Sequence, residues 1–396
     1  MSDKNNKTLK PGWRRVKFGE VVRLSKARSQ DPLADGIERY VGLEHLEPGD
    51  LRIRSWGSVA DGVTFTSVFQ PGQVLFGKRR AYQRKVAVAD FSGVCSGDIY
   101  VLETKDAQVL LPELLPFICQ TDAFFDHAVG TSAGSLSPRT NWTSLADFEF
   151  ALPTIDQQIL LVETLKAAGS LVEARRDALN RLRTLARSKL DLEFSDQSTW
   201  TRDRIANIGN VQLGRQRAPK YTTGKFNKPY LRVVNVLDGR LDLRDVETMD
   251  FNDRDFARYS LQPDDILITE GDLISVYNVG RSAIWSGEID DCCFQNTLIR
   301  FRCGPALIPK FTLAAFRHAF YHAIFAKAAN ATTVAHLGAE RFGSIEVCYP
   351  DKSRQRKIAD ELDDLYAAER ELERRLCAEE SLLQSIREEI LEGVVV

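Results

Sequence analysis

The chain says the same thing twice. YVGLEHLEPGDLRI at 40–53 aligns with YLRVVNVLDGRLDL at 230–243, FQPGQVLFGK at 69–78 with LQPDDILITE at 261–270, and LPTIDQQ at 152–158 with YPDKSRQ at 349–355. The last pair sets Pro153 over Pro350 and Gln158 over Gln355, and the offset drifts only from 190 to 197 residues. Three anchors in one order at a nearly constant offset mean an internal repeat, so the chain is expected to fold as two similar domains, each with its own core.

Each half opens with short apolar or alternating runs bounded by Gly, Pro and Asp: VLFG, VAVADF and DIYVLE in the first, DILIT, SAIW and TLIRFR in the second. These read as strands with turns between them. A helical stretch follows each set, at 111–129 and at 309–329. The expected fold class is therefore α+β, with two similar mixed α/β domains.

The end of each half differs in kind. After Pro153, residues Leu161, Leu165, Ala168, Val172, Leu179, Leu182 and Ala186 recur at steps of three and four, with Arg175 filling one slot. After Pro350 the series is Ile358, Leu362, Leu365, Glu369, Leu372, Leu376, Glu379, Leu383, Ile386 and Ile390. Such spacing over more than three heptads marks a coiled-coil seam, and Arg175 with Glu369 and Glu379 supplies charges of opposite sign to pair across it. The order globule, helix, globule, helix predicts a pseudo-twofold object in which two long helices pack antiparallel and separate the domains. At 1.5 Å per residue, roughly 37 residues give the first helix about 55 Å. The expected divisions are a polar tail at 1–11, a first domain at 12–153, a central helix and linker at 154–195, a second domain at 196–350 and a C-terminal helix at 351–396.

Charge narrows the function. The net formal charge is −2, yet residues 1–153 carry 19 Lys+Arg against 18 Asp+Glu, 154–200 carry 7 against 7, 201–350 carry 19 against 17, and 351–396 carry 8 against 13. A uniformly basic nucleic-acid coat is excluded, so any nucleic-acid contact comes from local cationic loops on nearly neutral domains. The seven cysteines never fall as C-x-x-C and are odd in number, which reads as buried thiols in a reducing cytoplasm. The polar start MSDKNNKTLK and the lack of any long apolar run predict neither a secretion signal nor a membrane span.

One segment imitates a nucleotide site. In PGQVLFGKRRAYQRK at 71–85, Gly72, Gly77 and Lys78 follow the order G-x-x-x-x-G-K, but Arg79 stands where a phosphate loop needs the hydroxyl that holds magnesium. The matching DDILITEGD at 264–272 carries Glu270 and Asp272 instead of cations. A strand ending at Phe76 and followed by Lys78, Arg79, Arg80, Tyr82, Arg84 and Lys85 fits DNA phosphate contact and base reading better, since arginine pairs bidentate with guanine. The second half offers Arg215, Arg217, Lys220, Lys225 and Lys228 around PKYTTGKFNK, and Asn278 with Arg281 after ISVY. The turns TSAGSLSPRTNW at 131–142, with Arg139 and Asn141, and ANATTVAHLGAER at 330–341 occupy matching places and are further candidates for DNA contact.

His318 and His322 stand at i and i+4, a spacing that can hold zinc, but there is no H-E-x-x-H motif and no third ligand is evident in sequence, so they read as structural and no metal site is expected. No nucleophile elbow, dinucleotide glycine fingerprint or aromatic–proline–proline motif occurs. A binding module fits better than an enzyme. A coiled-coil scaffold that gathers proteins and never touches DNA stays open beside it.

These pieces together resemble the specificity subunit of type I restriction–modification enzymes: GWRRVKFGEVVRL at 12–24, PGQVLFGKRRAYQRKVAV, the LP-x-x-x-x-Q ending of the first domain before a long helix, and the duplicated layout. The second domain departs by ending YPDKSRQ and by its acidic strand loop. The resemblance implies a non-catalytic subunit with two target recognition domains, each reading one part of a split, asymmetric DNA sequence across a spacer set by the helices. It implies two methyltransferase subunits as partners, using S-adenosylmethionine to methylate adenine N6. In systems that have them, it also implies two restriction subunits using ATP and magnesium. No cofactor is implied for this chain.

Overall fold

The computed structural model describes residues 9–272, 278–331 and 335–392. They form two compact units, 1–177 with 374–396 and 178–373. Both long helices, α5 (Ile155–Glu193) and α11 (Lys352–Glu392), are shared between the units, so each unit holds one globule and a segment of each helix.

In the first unit ten strands run in chain order: β1 (Arg14–Lys17), β2 (Val22–Leu24), β3 (Arg39–Val41), β4 (Gly57–Ser58), β5 (Ser67–Phe69), β6 (Val74–Gly77), β7 (Val86–Val88), β8 (Gly93–Cys95), β9 (Ile99–Thr104) and β10 (Glu149–Leu152). They build a four-stranded sheet β2-β9-β6-β7, a second sheet β4-β3-β8-β5, and the pair β1-β10. Every residue of β6, Val-Leu-Phe-Gly, is buried, which is why this run is apolar without alternation. Phe76 faces Phe124 and Phe125 in the core. The same core takes in Val162, Leu165 and Val172 of α5 and Leu383 of α11.

The second unit repeats the plan. Its strands are β11 (Thr201–Arg204), β12 (Gly209–Leu213), β13 (Asn227–Leu231), β14 (Glu247–Asp250), β15 (Ile266–Thr269), β16 (Gly271–Asp272), β17 (Ser282–Ile284), β18 (Cys293–Phe294), β19 (Leu298–Cys303), β20 (Asn330–Ala331), β21 (Ala335–His336) and β22 (Glu346–Tyr349). Sheet β12-β19-β15-β17 answers β2-β9-β6-β7, and the pair β11-β22 answers β1-β10. The parallel pairing is conserved in register: Tyr40 lies opposite Val94 and Val41 opposite Cys95, as Tyr230 lies opposite Cys293 and Leu231 opposite Phe294.

The two expected helical stretches are each broken. The first is helical only at Leu115–Ile118 and Asp122–Gly130, because Thr121 takes an extended backbone and caps the second piece through Phe124 N–H (3.3 Å). The second divides into Pro309–Tyr321 and Ile324–Ala328, with Ala323 between them in the left-handed region at φ +55°.

The Pro–Gln anchors have a physical reason. The buried Gln158 side chain accepts Leu111 N–H (2.9 Å) and donates to Val109 and Pro153 carbonyls (2.9 Å each). Gln355 does the same with Ile308 N–H (2.9 Å), Ala306 (3.0 Å) and Pro350 (2.8 Å). One amide thus satisfies three backbone groups where the globule meets the start of its long helix. The helix seam is antiparallel within each unit. In the first, Arg175 pairs with Glu379 (2.7 Å), as its heptad position predicts. In the second, Arg183 pairs with Glu369 (2.9 Å) and Lys189 with Glu361 (2.6 Å), so the partner's number falls as the helix advances.

The thiols are free; Cys95, Cys119, Cys292 and Cys293 are buried, but Cys303 and Cys348 are half-buried and Cys377 is exposed, so the expectation of buried thiols holds for four of seven. No helix among the described residues is long and apolar enough to cross a membrane.

Candidate nucleic-acid interface

The Gly72–Lys78 segment is a strand, not a phosphate cradle. Val74, Leu75 and Phe76 pair with β7 on one side and β9 on the other, and Gly77 N–H donates to Lys85 O (2.9 Å). A phosphate loop needs those N–H groups free, and here the sheet uses them.

Beyond β6 the chain turns through Lys78–Lys85 and packs against the 131–142 turn, bringing two separately read candidate segments together. Arg79 bridges Arg139, Lys78 O accepts Thr140 N–H (3.0 Å), and Arg80 N–H donates to Pro138 O (2.7 Å). Their shared counter-ion is Asp98, which receives Arg79 (3.2 Å) and Arg139 (2.8 Å). Burial disfavours its charge, but the hydrogen bonds and charges of both arginines win and hold the carboxyl below its ordinary value. Ser137 Oγ accepts from Arg79 (3.0 Å) and Arg80 (3.3 Å). Lys78 stands 4.6 Å from the Tyr100 ring centroid, and its pKa is lowered by burial first, then by the charges of Arg139 and Arg28. One carboxylate against Arg28, Lys78, Arg79, Arg80 and Arg139 leaves the patch cationic. Tyr82 sits 56% exposed beside it. Arg80 and Arg84 flank the turn at φ +53° and +56°, a costly conformation for arginine that sites of function tend to hold.

Other candidates are committed inside the first unit. Arg84 pairs with Asp122 and lies over the Phe125 ring (4.6 Å), Lys85 donates to Leu43 O (2.7 Å), and Asn141 caps the helix Trp142–Ala146 through Ser144 N–H (2.8 Å). They fix the shape of the loops that carry the other cations.

In the second unit Arg215 is buried, bonded to Asp250 O and Asp255 (2.8 Å) and stacked on Tyr221 (3.8 Å). Arg217 is half exposed, 3.5 Å from Glu247. Lys220 and Lys225 are exposed on a turn tied down by Asp250, whose carboxylate accepts from Thr223, Gly224 and Phe226 N–H at 2.7, 3.1 and 2.8 Å. The Thr223 hydroxyl and these amides hold its pKa down. Lys228 pairs with Asp291. Asn278 O accepts Thr269 Oγ1–H (3.0 Å) and Arg281 O accepts Thr269 N–H (2.9 Å), which sets both at the end of β15. The ISVY segment at 274–277 and residues 332–334 of the second turn lie outside the described residues.

Sequence reasoning missed Asp98 and Arg28 and did not single out Ser137 within the 131–142 turn: Asp98 reaches the cations through the pairing of β6 with β9, Ser137 through the fold of that turn, and Arg28 from the segment that bridges Ser67 of β5. It also missed Asp191, which the fold places beside His318 and His322.

Two similar α/β units, each carrying local cationic loops, have counterparts among known proteins. Residues 197–379 match the family described as type I restriction modification DNA specificity domain. The type I restriction enzyme EcoDI specificity subunit of Escherichia coli is 29% identical over 201 residues, 47% of this chain. That match spans 42% of the curated relative's length. A chain solved in a study of complex assembly and conformational transition of the type I R-M system shares the fold at TM-score 0.60 and 18% identity, over 98% of this chain and 100% of that one. The type I restriction–modification S subunit from M. genitalium does so at TM-score 0.60 and 14% identity, over 100% and 99%. The resemblance read from the sequence holds: the second half matches the type I DNA specificity domain, and the chain as a whole has the fold seen in type I specificity subunits.

Proposed function

We propose that the chain is the DNA sequence-specificity subunit of a type I restriction–modification complex, non-catalytic and cytoplasmic, with residues 12–153 and 196–350 as its two target recognition domains. It reads a bipartite, asymmetric target and positions two methyltransferase subunits that methylate adenine N6 with S-adenosylmethionine. Restriction subunits, with ATP and magnesium, join where the system includes them. The observation that supports this best is a four-stranded sheet and a terminal strand pair repeated in the same order in both units, with unlike loops at the strand ends, which suits one scaffold to two different half-sites.

In this reading Lys78, Arg79, Arg80, Tyr82 and Arg139 meet DNA from the first domain, and Arg217, Lys220, Lys225, Asn278 and Arg281 from the second. Arg84, Lys85, Asn141 and Arg215 shape the loops. Half-sites one turn apart lie about 34–36 Å from centre to centre, a span that a long helical spacer suits. The target adenine is flipped into a partner's pocket rather than into this chain.

The test is to map methylated adenines on genomic DNA with and without this chain, then with Arg79 and Arg80 both changed to Glu. A split methylated motif that needs the chain and is lost or relaxed at one half in the double variant supports the proposal. Methylation indifferent to both changes favours a scaffold that never touches DNA.

A further inference from the structure

Unit 2 also holds a side-chain cluster that DNA reading does not use. Asp191 is on the last turn of α5, His318 lies in the helix Pro309–Tyr321, and His322 follows that helix as its C-terminal cap. His322 Nε2 is 3.0 Å and His318 Nε2 3.9 Å from the same oxygen, Asp191 Oδ1, and one ligand atom from each of the three residues lies within 4.8 Å of the others. A zinc-class ion bound at about 2.0–2.2 Å holds tetrahedral ligand atoms about 3.3–3.5 Å apart, so closing the widest separation by no more than about 1.5 Å completes the set.

The arrangement is held by packing. The i, i+4 spacing puts both imidazoles on one helix face, with ring centroids 4.4 Å apart. His318 stacks on Phe194 (4.8 Å, 18°), which stacks in turn on Phe311 (5.7 Å, 16°). Asp191 and His322 keep 42% and 49% of their side-chain surface exposed, so an ion and a water ligand have access. Two imidazoles and one carboxylate suit zinc and its first-row neighbours rather than magnesium or calcium. Ala319, Phe320 and Tyr321 separate the histidines, so no carboxylate between them offers a general base.

We propose that Asp191, His318 and His322 bind one divalent first-row transition ion of the zinc class, with water completing the shell, as a staple between the end of α5 and the end of the His318 helix. The staple adds to the apolar contact of Leu190 and Phe194 with Phe311 and Ala314.

The test uses the full, tag-free chain stripped with a chelator and titrated with Co2+, then with Zn2+. One Co2+ per chain with visible d–d bands, displaced by Zn2+, and a raised unfolding temperature with Zn2+ are expected. His322→Gln, which removes the most exposed ligand, and Asp191→Asn should each weaken binding more than about tenfold, and both should melt like the metal-free parent when no metal is added. Absence of bands and of any zinc-dependent shift in the parent overturns the proposal. So does undiminished binding in the two variants, which would place the ion on other groups such as Cys377 or His336.

Discussion

At the end of β6 and the end of β15 the two units hold the same backbone and opposite charges. Lys78 N–H donates to Asp98 O and Glu270 N–H to Thr297 O, both at 3.0 Å. Lys78 O accepts from Thr140 N–H (3.0 Å), and Glu270 O from Leu337 N–H (2.8 Å). Arg79 bridges Arg139 as Gly271 pairs with His336. Yet Lys78-Arg79-Arg80 is answered by Glu270-Gly271-Asp272, and the Glu270 carboxylate there lies 2.8 Å from His336 Nδ1. The hydrogen bonds shared by the two junctions are made by main-chain atoms, so the backbone they fix is the same under either set of side chains. The loop is free to change its chemistry without moving, which is what two reading surfaces on one scaffold require.

The largest effect should appear where the units agree. Replacing Gln158 with Ala strands Leu111 N–H and the Val109 and Pro153 carbonyls, and Gln355→Ala strands their counterparts, each at a cost on the order of 3–5 kcal/mol. Denaturant unfolding should show similar losses for the two variants. A large loss in one and almost none in the other would break the equivalence of the units.

The next effect should appear where they differ. Arg79→Ala in an assembled methyltransferase complex should weaken specific DNA binding by about 1–3 kcal/mol if Arg79 reads a base, relaxing one position of one half-site. Lys78→Ala, if Lys78 meets a phosphate, should weaken all sequences alike and reduce the salt slope by about 1. Glu270→Ala should leave affinity unchanged or raise it. Loss of binding on removing Glu270, measured at the same salt, would mean that the acidic loop itself reads DNA and that the two surfaces work alike.

The duplication was legible because its anchors mark constraints that cannot drift: a fully buried strand at 74–77 and 266–269, and a buried glutamine with three backbone partners at 158 and 355. The heptads were legible to the charges inside the seam, since spacing fixes which positions face it, but not to the pairing: of the two partners offered to Arg175, the fold gives it Glu379 and gives Glu369 to Arg183. The helix breaks at Gln120–Thr121 and at Ala323 were not, because one depends on a cap choosing among nearby starts and the other on a non-glycine residue held at positive φ. The partners of the cations were least legible. Asp98 follows Lys78 by twenty positions and meets it through strand pairing, and Asp191 meets His318 across 127 positions. Side chains that complete a charged site are chosen by tertiary contact, and no local pattern records it.

Within the seam, a double-mutant cycle on Arg175 and Glu379 should give a coupling of about 0.5–1 kcal/mol, as should one on Arg183 and Glu369. These pairs are partly exposed, with Glu379 and Glu369 both near 20% and Arg175 and Arg183 at 20% and 46%. The coupling should therefore be smaller for Arg183 and fall with added salt. Equal, salt-independent couplings would show that exposure does not separate the two halves of the seam.

The smallest effect concerns acid, and it separates the loops most sharply. Asp98 keeps a lowered carboxyl pKa in the folded state, despite burial, because Arg139 and Arg79 favour its charge. A group whose folded pKa is depressed stabilises the fold above its unfolded value, about 3.9, and that contribution is lost as pH falls through the lower folded value. Arg79 and Arg139 should thus stay tethered through neutral and mildly acidic solution and come loose only below about pH 4. Asp98→Asn should abolish that step at every pH. It should also loosen the two arginines at neutral pH, seen as faster side-chain motion by nuclear magnetic resonance and as a relaxed base preference at the first half-site with little loss of total affinity. The matched position in the second unit is Thr297, which carries no charge to titrate, so Thr297→Val should leave the acid limb unchanged. An acid step that survives Asp98→Asn would assign it to another carboxylate and remove Asp98 from its place as the anchor of the cationic loop.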